Sequence, residues 1–248
     1  FYKMSDNNNK DKILRIGVAG IAHMHAHSYI DSLKRIENVK FVGIADENPE
    51  NKQGVSNYCV NGVKGYSSYE ELCKSPEIDT IIITTETSKH AQVAINALEQ
   101  GKHVIVEKPI ATTLKDADAM IAAAEKSGRI LAQIYPCRYH PVSQYIKSEI
   151  DSGSFGKLIA FSGTNHGQMP PHSGSTKWFS QQELSGGGAL MDHITHLADL
   201  YFWWIKSDIK SVYAVKANLF HPEVKVDDVG MVSIEYQNGV KATIDPSW

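Results

Sequence analysis

Through the first half of the chain, short apolar runs alternate with longer stretches of helical period. Ile13–Ala19 is rich in β-branched residues and reads as a strand. A helical stretch from about Met24 to Glu37 follows, and Lys40–Ala45 is a second strand. Thr80–Thr84 is nearly all apolar, as expected for a strand buried on both faces. Ser88–Gln100 predicts a helix, with Ser88 as N-cap and Gly101 just past its end. His103–Val106 is another strand, Thr113–Lys126 an Ala-rich helix closed by Gly128, and Ile130–Ile134 a further strand. Between Pro49 and Ser75 the pattern is weaker and predicts two short helices around a strand near Val60–Lys64. Strands alternating with helices of this length predict a parallel, doubly wound α/β sheet with right-handed crossovers.

After Tyr135 the texture changes. Val142–Ile150 is a helix leading into Gly153 and Gly156, and Leu158–Gly163 is strand-like. The Gly-, Pro- and Ser-rich stretch Gly163–Ser175 reads as a loop. Gly186, Gly187 and Gly188 open a strongly apolar helix, roughly Ala189–Trp204. Val229–Tyr236 and Val240–Ile244 alternate in period two around Asn238-Gly239, a hairpin signal. The expected organisation is a tail over residues 1–12, a doubly wound domain over 13–136, and a partial α+β domain over 137–248. That second domain should carry an open, mostly antiparallel sheet.

The 248 residues carry a net charge of -3, with 42% hydrophobic and 21% charged positions. This is the composition of a globular protein with a real core, and it offers no electrostatic footprint for nucleic acid. No apolar run reaches membrane-spanning length, and the polar, Asn-rich first twelve residues lack the apolar centre of a signal peptide. The tail is expected to be flexible. Cys59, Cys73 and Cys137 are widely spaced, without a CxxC pair, which fits reduced thiols and a cytoplasmic protein.

Gly17 and Gly20 lie at the end of the first strand, where a phosphate-binding turn would sit in a Rossmann-type fold. The G-x-G-x-x-G pattern is incomplete: counted from Gly20, its later positions hold Ala22 and His25. Asp46 ends the second strand, where an acidic side chain accepts both ribose hydroxyls of an adenosine and repels a 2′-phosphate. That reading favours NAD over NADP. The same residues also fit an ordinary βα turn and a strand-end Asp capping the next turn.

The more specific segments lie further on. Glu107-Lys108-Pro109 follows the strand His103–Val106, TTETSKH spans Thr84–His90, and GGGALMDHITHLADL spans Gly186–Leu200. With the Rossmann-like first half, these resemble the Gfo/Idh/MocA oxidoreductases, through their EKP tripeptide, TPNxxH loop and GGGxxxDxxxHxxD segment. Glu86 and Thr87 stand here in place of the loop's Pro and Asn. The resemblance covers Ile13 to Trp248, including the closing NGVKATIDPSW. It implies an NAD(P)-dependent dehydrogenase acting on a sugar- or polyol-like alcohol. Gly17, Gly20, Ala22, His23, Met24, Asp46, Thr84, Thr85, His90, Glu107 and Lys108 would meet the cofactor. Family members usually run beyond the position of Trp248, so a shortened second domain is expected. Its sheet would support a homodimer or homotetramer.

The chemistry of these positions is coherent without the resemblance. Asp192 and His196 are four apart and share one helix face. Histidine suits the removal of an alcohol proton, and Lys108 places a cation where alkoxide character develops. Pro109 admits a cis Lys–Pro bond. The expected catalytic set is Lys108, Asp192 and His196, a division of roles taken from the family. Arg138, Asn165, His166 and His193, with Asp192 and His196, are the substrate-binding candidates. His172 and Trp178 are weaker candidates that fit packing as well. Tyr201, Phe202, Trp203 and Trp204 read as core or interface residues.

Two other functions fit parts of the pattern. His23, His25 and His27 form an H-x-H-x-H run after a strand, as metal-dependent hydrolases do, but a helix starting at Met24 would splay them apart. No metal is expected. A dinucleotide-binding scaffold can also act as a non-catalytic sensor. The full Lys108, Asp192 and His196 set favours the enzyme.

Overall fold

The computed structural model describes residues 13–248. The expected tail lies outside the described residues. The chain divides into two compact units. One comprises residues 13–85, Lys89–Val106 and Lys115–Ala132, and the other Glu86–Ser88, Glu107–Leu114 and Gln133–Trp248. The short EKP-bearing segment thus groups with the second half of the chain, which no local sequence pattern indicates.

In the first unit β1 (Leu14–Ala19), α1 (His25–Leu33), β2 (Val39–Ala45), α2 (Lys52–Tyr58) and β3 (Lys64–Tyr66) form one winding. Then α3 (Tyr69–Lys74), β4 (Thr80–Ile83), α4 (His90–Glu99), β5 (His103–Val106), α5 (Leu114–Ser127) and β6 (Leu131–Gln133) form the other. The sheet order is β3-β2-β1-β4-β5-β6, the doubly wound order whose switch point lies between β1 and β4. The pairings of β1 with β2 and β4, β2 with β3, and β4 with β5 are parallel. Ile81, Ile83, Val104 and Val106 are fully buried, which explains the unbroken apolar run of β4. Burial of each such side chain contributes roughly 1.5–3 kcal/mol.

Element ends differ from the expected ones where local bonds decide. α1 stops at Leu33, because Arg35 N–H turns back to Ser32 O and Ile36 N–H to Leu33 O, both by the shorter three-residue link. Ser88 does not cap α4; a tight turn over Thr87–Lys89 precedes it and Lys89 occupies the cap position.

In the second unit α6 (Pro141–Ser152) starts on Pro141, with His140 as cap, and ends at Gly153, whose φ is 79°. β7 (Ala160–Thr164) follows, then a loop, a 3-10 segment over Gly174–Ser180, and α7 (Gln182–Ser185). α8 (Ala189–Ile205), β8 (Ile209–Ala217), β9 (Val229–Tyr236) and β10 (Lys241–Asp245) complete the unit. The sheet order is β7-β10-β9-β8. The β9–β10 and β8–β9 pairings are antiparallel and β10–β7 is parallel, so this sheet is mixed. One face packs on α8: Tyr201, Trp204 and Ile205 meet Val232, Ile234, Tyr236 and Ile244. Of the aromatic run, Tyr201 and Trp204 are therefore core residues, whereas Phe202 is exposed. β8 lies where the sequence pattern predicts no element. Its alternation hides no core face, because all but its last residue are exposed.

Candidate functional site

In the first unit the glycine turn is built against the end of β4. Gly20 has φ +84°, and a Cβ there would lie 2.8 Å from the Thr85 backbone, so only glycine fits. Thr84 Oγ1 donates to Gly20 O (2.6 Å), and His23 N–H donates to Thr84 O (3.0 Å). Thr84 and Thr85 are fully buried, and the His90 ring lies 3.3 Å from Thr85 O. Thr84, Thr85 and His90 thus form the floor of the turn. Ala22, at the second glycine position, is buried, while Met24 is exposed.

Asp46 sits half-buried beside the turn. Its Oδ2 accepts from Ile21 N–H (2.7 Å) and Asn51 Nδ2 (2.9 Å), and its Oδ1 accepts from Asn48 N–H (2.8 Å). The turn-capping role is therefore present. The Tyr69 hydroxyl also approaches Oδ1, at the long distance of 3.5 Å, so three of about four acceptor directions are firmly used and a ribose hydroxyl would compete with Tyr69 for the fourth. A strand–turn–helix at the switch point, carrying such a carboxylate, fits an adenosine dinucleotide.

Of the three N-terminal histidines only His27 is splayed away as expected; His23 and His25 stay together. The rings of His23 and His25 lie 4.3 Å apart, and His25 N–H donates to His23 Nδ1 (3.2 Å). His27 instead bonds the Tyr58 hydroxyl and stacks on its ring.

In the second unit the expected catalytic residues come together. Lys108 Nζ lies 2.6 Å from Asp192 Oδ1 and donates to Asp192 O at 3.2 Å, with both side chains nearly buried. Lys108 N–H donates to Oε1 of the fully buried Glu107 (2.8 Å), and the Lys108–Pro109 bond is cis. Two of the three ammonium protons are used on Asp192, which leaves one N–H.

His196 Nδ1 lies 3.7 Å from Cys137 Sγ. Burial, and then the Lys108 charge, push the His196 ring down to about 4, so it is neutral near pH 7. Burial pushes the Cys137 thiol up.

α8 carries Asp192 and His196, and Asp227 fixes its start. Asp227 O accepts from Ala189 N–H (2.8 Å) and its Oδ2 from Leu190 N–H (2.9 Å), which satisfies two orphan donors of the first turn. Lys216 pairs with Oδ1 of the same carboxylate at 2.8 Å. Sequence reasoning missed Asp227, because a cap supplied from a loop 37 residues away leaves no local signal.

The remaining candidates have partners inside the unit. Arg138 forms a two-pronged pair with buried Asp199 (Nε–Oδ2 2.6 Å) and lies over the rings of Tyr135 and Trp203. His166 Nε2 is 2.8 Å from Asp245 Oδ2. Asn165 Nδ2 donates to His193 O (3.0 Å). The His193 ring reaches Asn165 O, Ser247 O and Asp192. A small cleft beside Lys108 and Asp192 is walled by Pro109, Trp178, Phe179 and Met191, with Thr87 and Ser185 as polar members. Trp178 was a weak sequence candidate. Thr87 lies in the TPNxxH-like loop, whereas Phe179 and Ser185 carry no sequence signal, since only the fold brings their segments together.

Two family models match the chain. Residues 12–135 match the oxidoreductase family with NAD-binding Rossmann fold, and residues 143–248 match the GFO/IDH/MocA C-terminal domain. The chain belongs to the Gfo/Idh/MocA family. Among relatives, it is 29% identical over 192 residues to 1,5-anhydro-D-fructose reductase of Ensifer adhaerens, covering 77% of this chain and 57% of that protein. It is 26% identical over 237 residues to inositol 2-dehydrogenase of Salmonella typhimurium, covering 94% and 66%. The WlbA dehydrogenase from Bordetella pertussis, solved in complex with NADH and UDP-GlcNAcA, aligns with a TM-score of 0.84 at 25% identity. That alignment covers 96% of this chain and 67% of that one. The Gfo/Idh/MocA chain described here thus spans less than two thirds of the two relatives' length. Its first unit is the family's NAD-binding Rossmann fold.

Proposed function

We propose that the protein is an NAD-dependent oxidoreductase acting on a CH–OH group of a sugar or polyol. The observation that carries this reading is the buried Lys108–Asp192 pair, on the same unit as a His196 ring held neutral. The names of the relatives, a sugar reductase and an inositol dehydrogenase, support the substrate class.

Bound NAD supplies the hydride acceptor. The protein's own residues do the rest. With Nδ1 facing Cys137, His196 meets the substrate hydroxyl through Nε2 and removes its proton. The remaining N–H of Lys108 donates to the reacting oxygen and stabilises alkoxide character. Asp192 holds the Lys108 ammonium in place. Asn165 and His166, just beyond β7, are further candidates for substrate hydroxyls. Gly17, Gly20, Ala22, His23, Met24, Asp46, Thr84, Thr85 and His90 form the dinucleotide side of the proposal, together with Glu107 and Lys108. Asp46 favours NAD over NADP.

The test is a panel of inositols, aldoses, sugar acids and anhydrosugars with NAD, followed by NADH absorbance. NADH formation with at least one alcohol is expected. NAD binding without turnover across the whole panel would leave a binding protein in place of an enzyme.

We further propose a homo-oligomer formed through the second unit's sheet. Tyr213, Val215 and Met231 are exposed on the face turned away from α8, with Val215 opposite Met231 in the ladder. Light scattering at graded concentrations checks this, and a monomer throughout would overturn it. No helix among the described residues is long and apolar enough to cross a membrane. With three free thiols, a cytoplasmic location is proposed.

A further inference from the structure

We propose that His193 is a positioning residue that clamps the outer oxygen of Asp192, so that the inner oxygen stays on Lys108. This rests on the oxidoreductase reading of the Lys108, Asp192 and His196 set.

The ring is held from several sides. Its Nδ1 lies 2.9 Å from Asn165 O and 3.3 Å from Ser247 O. Both are carbonyl oxygens, which only accept, so Nδ1 carries a proton. Asn165 closes the lock: its Nδ2 donates back to His193 O (3.0 Å), and its N–H donates to Asp245 O (2.9 Å). Gly167 lies against the ring, and a Cβ there would come within 2.8 Å of His193 Cε1. The loops after the paired parallel strands β7 and β10 therefore grip the imidazole between them.

A ring gripped in this way presents Nε2 in one direction, 3.4 Å from Asp192 Oδ2. Trp248 Nε1 approaches the same oxygen at 3.4 Å. The other oxygen, Oδ1, belongs to Lys108 at 2.6 Å. The two carboxylate oxygens thus have different neighbours, and rotation about the carboxylate bond would cost contacts on both sides. With Nδ1 already carrying its proton, Nε2 donates to Oδ2 only from a ring that holds a second proton, and the clamp proposed is that charged contact. The ammonium of Lys108 also touches Asp192 O, so a carboxylate that swings takes the amine with it. In this arrangement His193 acts on the reaction through Asp192 and does not touch the substrate.

The test uses two amide substitutions that each copy one ring nitrogen. His193→Asn places its amide near the Nδ1 position and keeps a donor to Asn165 O, but it does not reach Asp192. His193→Gln reaches the Nε2 position and donates to Asp192 Oδ2. The expected result is two folded proteins with an unchanged KM for NAD, His193→Gln melting somewhat lower because it loses the Nδ1 donor. His193→Asn should lose about tenfold to a hundredfold in kcat, the scale of a small misplacement of a reacting group. His193→Gln should recover most of that loss. Wild-type kcat in His193→Asn, or equal loss in two well-folded variants, would overturn the inference.

A second measurement does not depend on turnover. Nitrogen-15 NMR of the histidine rings in the ligand-free protein should show protons on both Nδ1 and Nε2 of His193. An unprotonated Nδ1 or an unprotonated Nε2 overturns the clamp whatever the activity. If the substrate panel yields no NADH while both ring nitrogens are protonated, the oxidoreductase reading fails and the ring geometry stands.

Discussion

Lys108 Nζ lies 2.6 Å from Asp192 Oδ1, and the two side chains are only 5% and 11% exposed. A buried pair of this kind is costly to break from one side, because the partner remains as an uncompensated charge. Lys108→Ala is expected to abolish turnover, yet leave NAD binding detectable as a thermal shift. It should also lose about 3 kcal/mol of stability. The double variant Lys108→Met with Asp192→Asn should lose less than the sum of the two single changes. Urea unfolding of the four proteins measures this, and full activity in Lys108→Ala would remove the catalytic assignment.

The His196 ring, at about 4, lies well below its unfolded value near 6.5, chiefly through burial and then through Lys108. As pH falls through this window the unfolded chain takes up the proton and the folded one does not. Stability attributable to this ring is therefore full above about pH 6.5, falls between about 6.5 and 4, and levels off below. The total loss is on the order of 3 kcal/mol. His196→Gln should flatten this part of the curve, read as unfolding free energy at pH 4.5 against pH 7. Substrate turnover by the wild type should show no acid limb from this ring until near pH 4.

Much of the first unit is legible in the sequence. The reason is that β1, β2, β4 and β5 are buried between helices and announce themselves as apolar runs. β8 is not legible, because only packing on β9 makes it a strand and nearly all of it is exposed. Lys108, Asp192 and His196 were readable as residue types in recognisable segments. Their supports were not: Asp227, Cys137 and the loop carbonyls of Asn165 and Ser247 reach α8 from distant parts of the chain. A cap, a sulfur contact or a carbonyl acceptor leaves no periodicity to detect.

Cys137 is the partner of His196 Nδ1 at 3.7 Å. A thiol is a weak donor and a weak acceptor, so it orients the ring without adding a charge. Cys137→Ala should lower kcat by about tenfold with little change in KM, the pattern of a lost orienting contact. Since burial pushes the Cys137 thiol up, iodoacetamide should label exposed Cys59 first and Cys137 later. Peptide mass spectrometry over time reads the order; faster labelling of Cys137 would show a more reactive environment than this geometry allows.

Asp46 has two jobs that separate experimentally. It pins the glycine turn through Ile21 N–H, and it is proposed to face the adenosine ribose. NAD should raise the melting temperature more than NADP at equal concentration. Asp46→Ala should narrow that difference and also destabilise the protein by about 1–2 kcal/mol, because Ile21 N–H loses its acceptor. Stronger stabilisation by NADP in the wild type would overturn the NAD preference.

Gly188 precedes α8, and a Cβ there would lie 1.8 Å from Asp227 O, a backbone atom with no flexible end to move. Its φ of -103° lies outside the left-handed region, and the close approach to Asp227 O excludes a side chain. The same carbonyl accepts from Ala189 N–H at 2.8 Å, so pushing it away also uncaps the helix that carries Asp192 and His196. Gly188→Ala should therefore lose about 3 kcal/mol or more, with turnover falling alongside stability. Gly174 gives the contrast: its φ is +61°, and a Cβ there meets nothing within 4 Å. Gly174→Ala should lose only about 1 kcal/mol, the conformational cost of a left-handed residue. Thermal unfolding of the two variants in parallel separates steric exclusion from backbone strain. A tolerated Gly188→Ala would mean that Asp227 does not fix the start of α8.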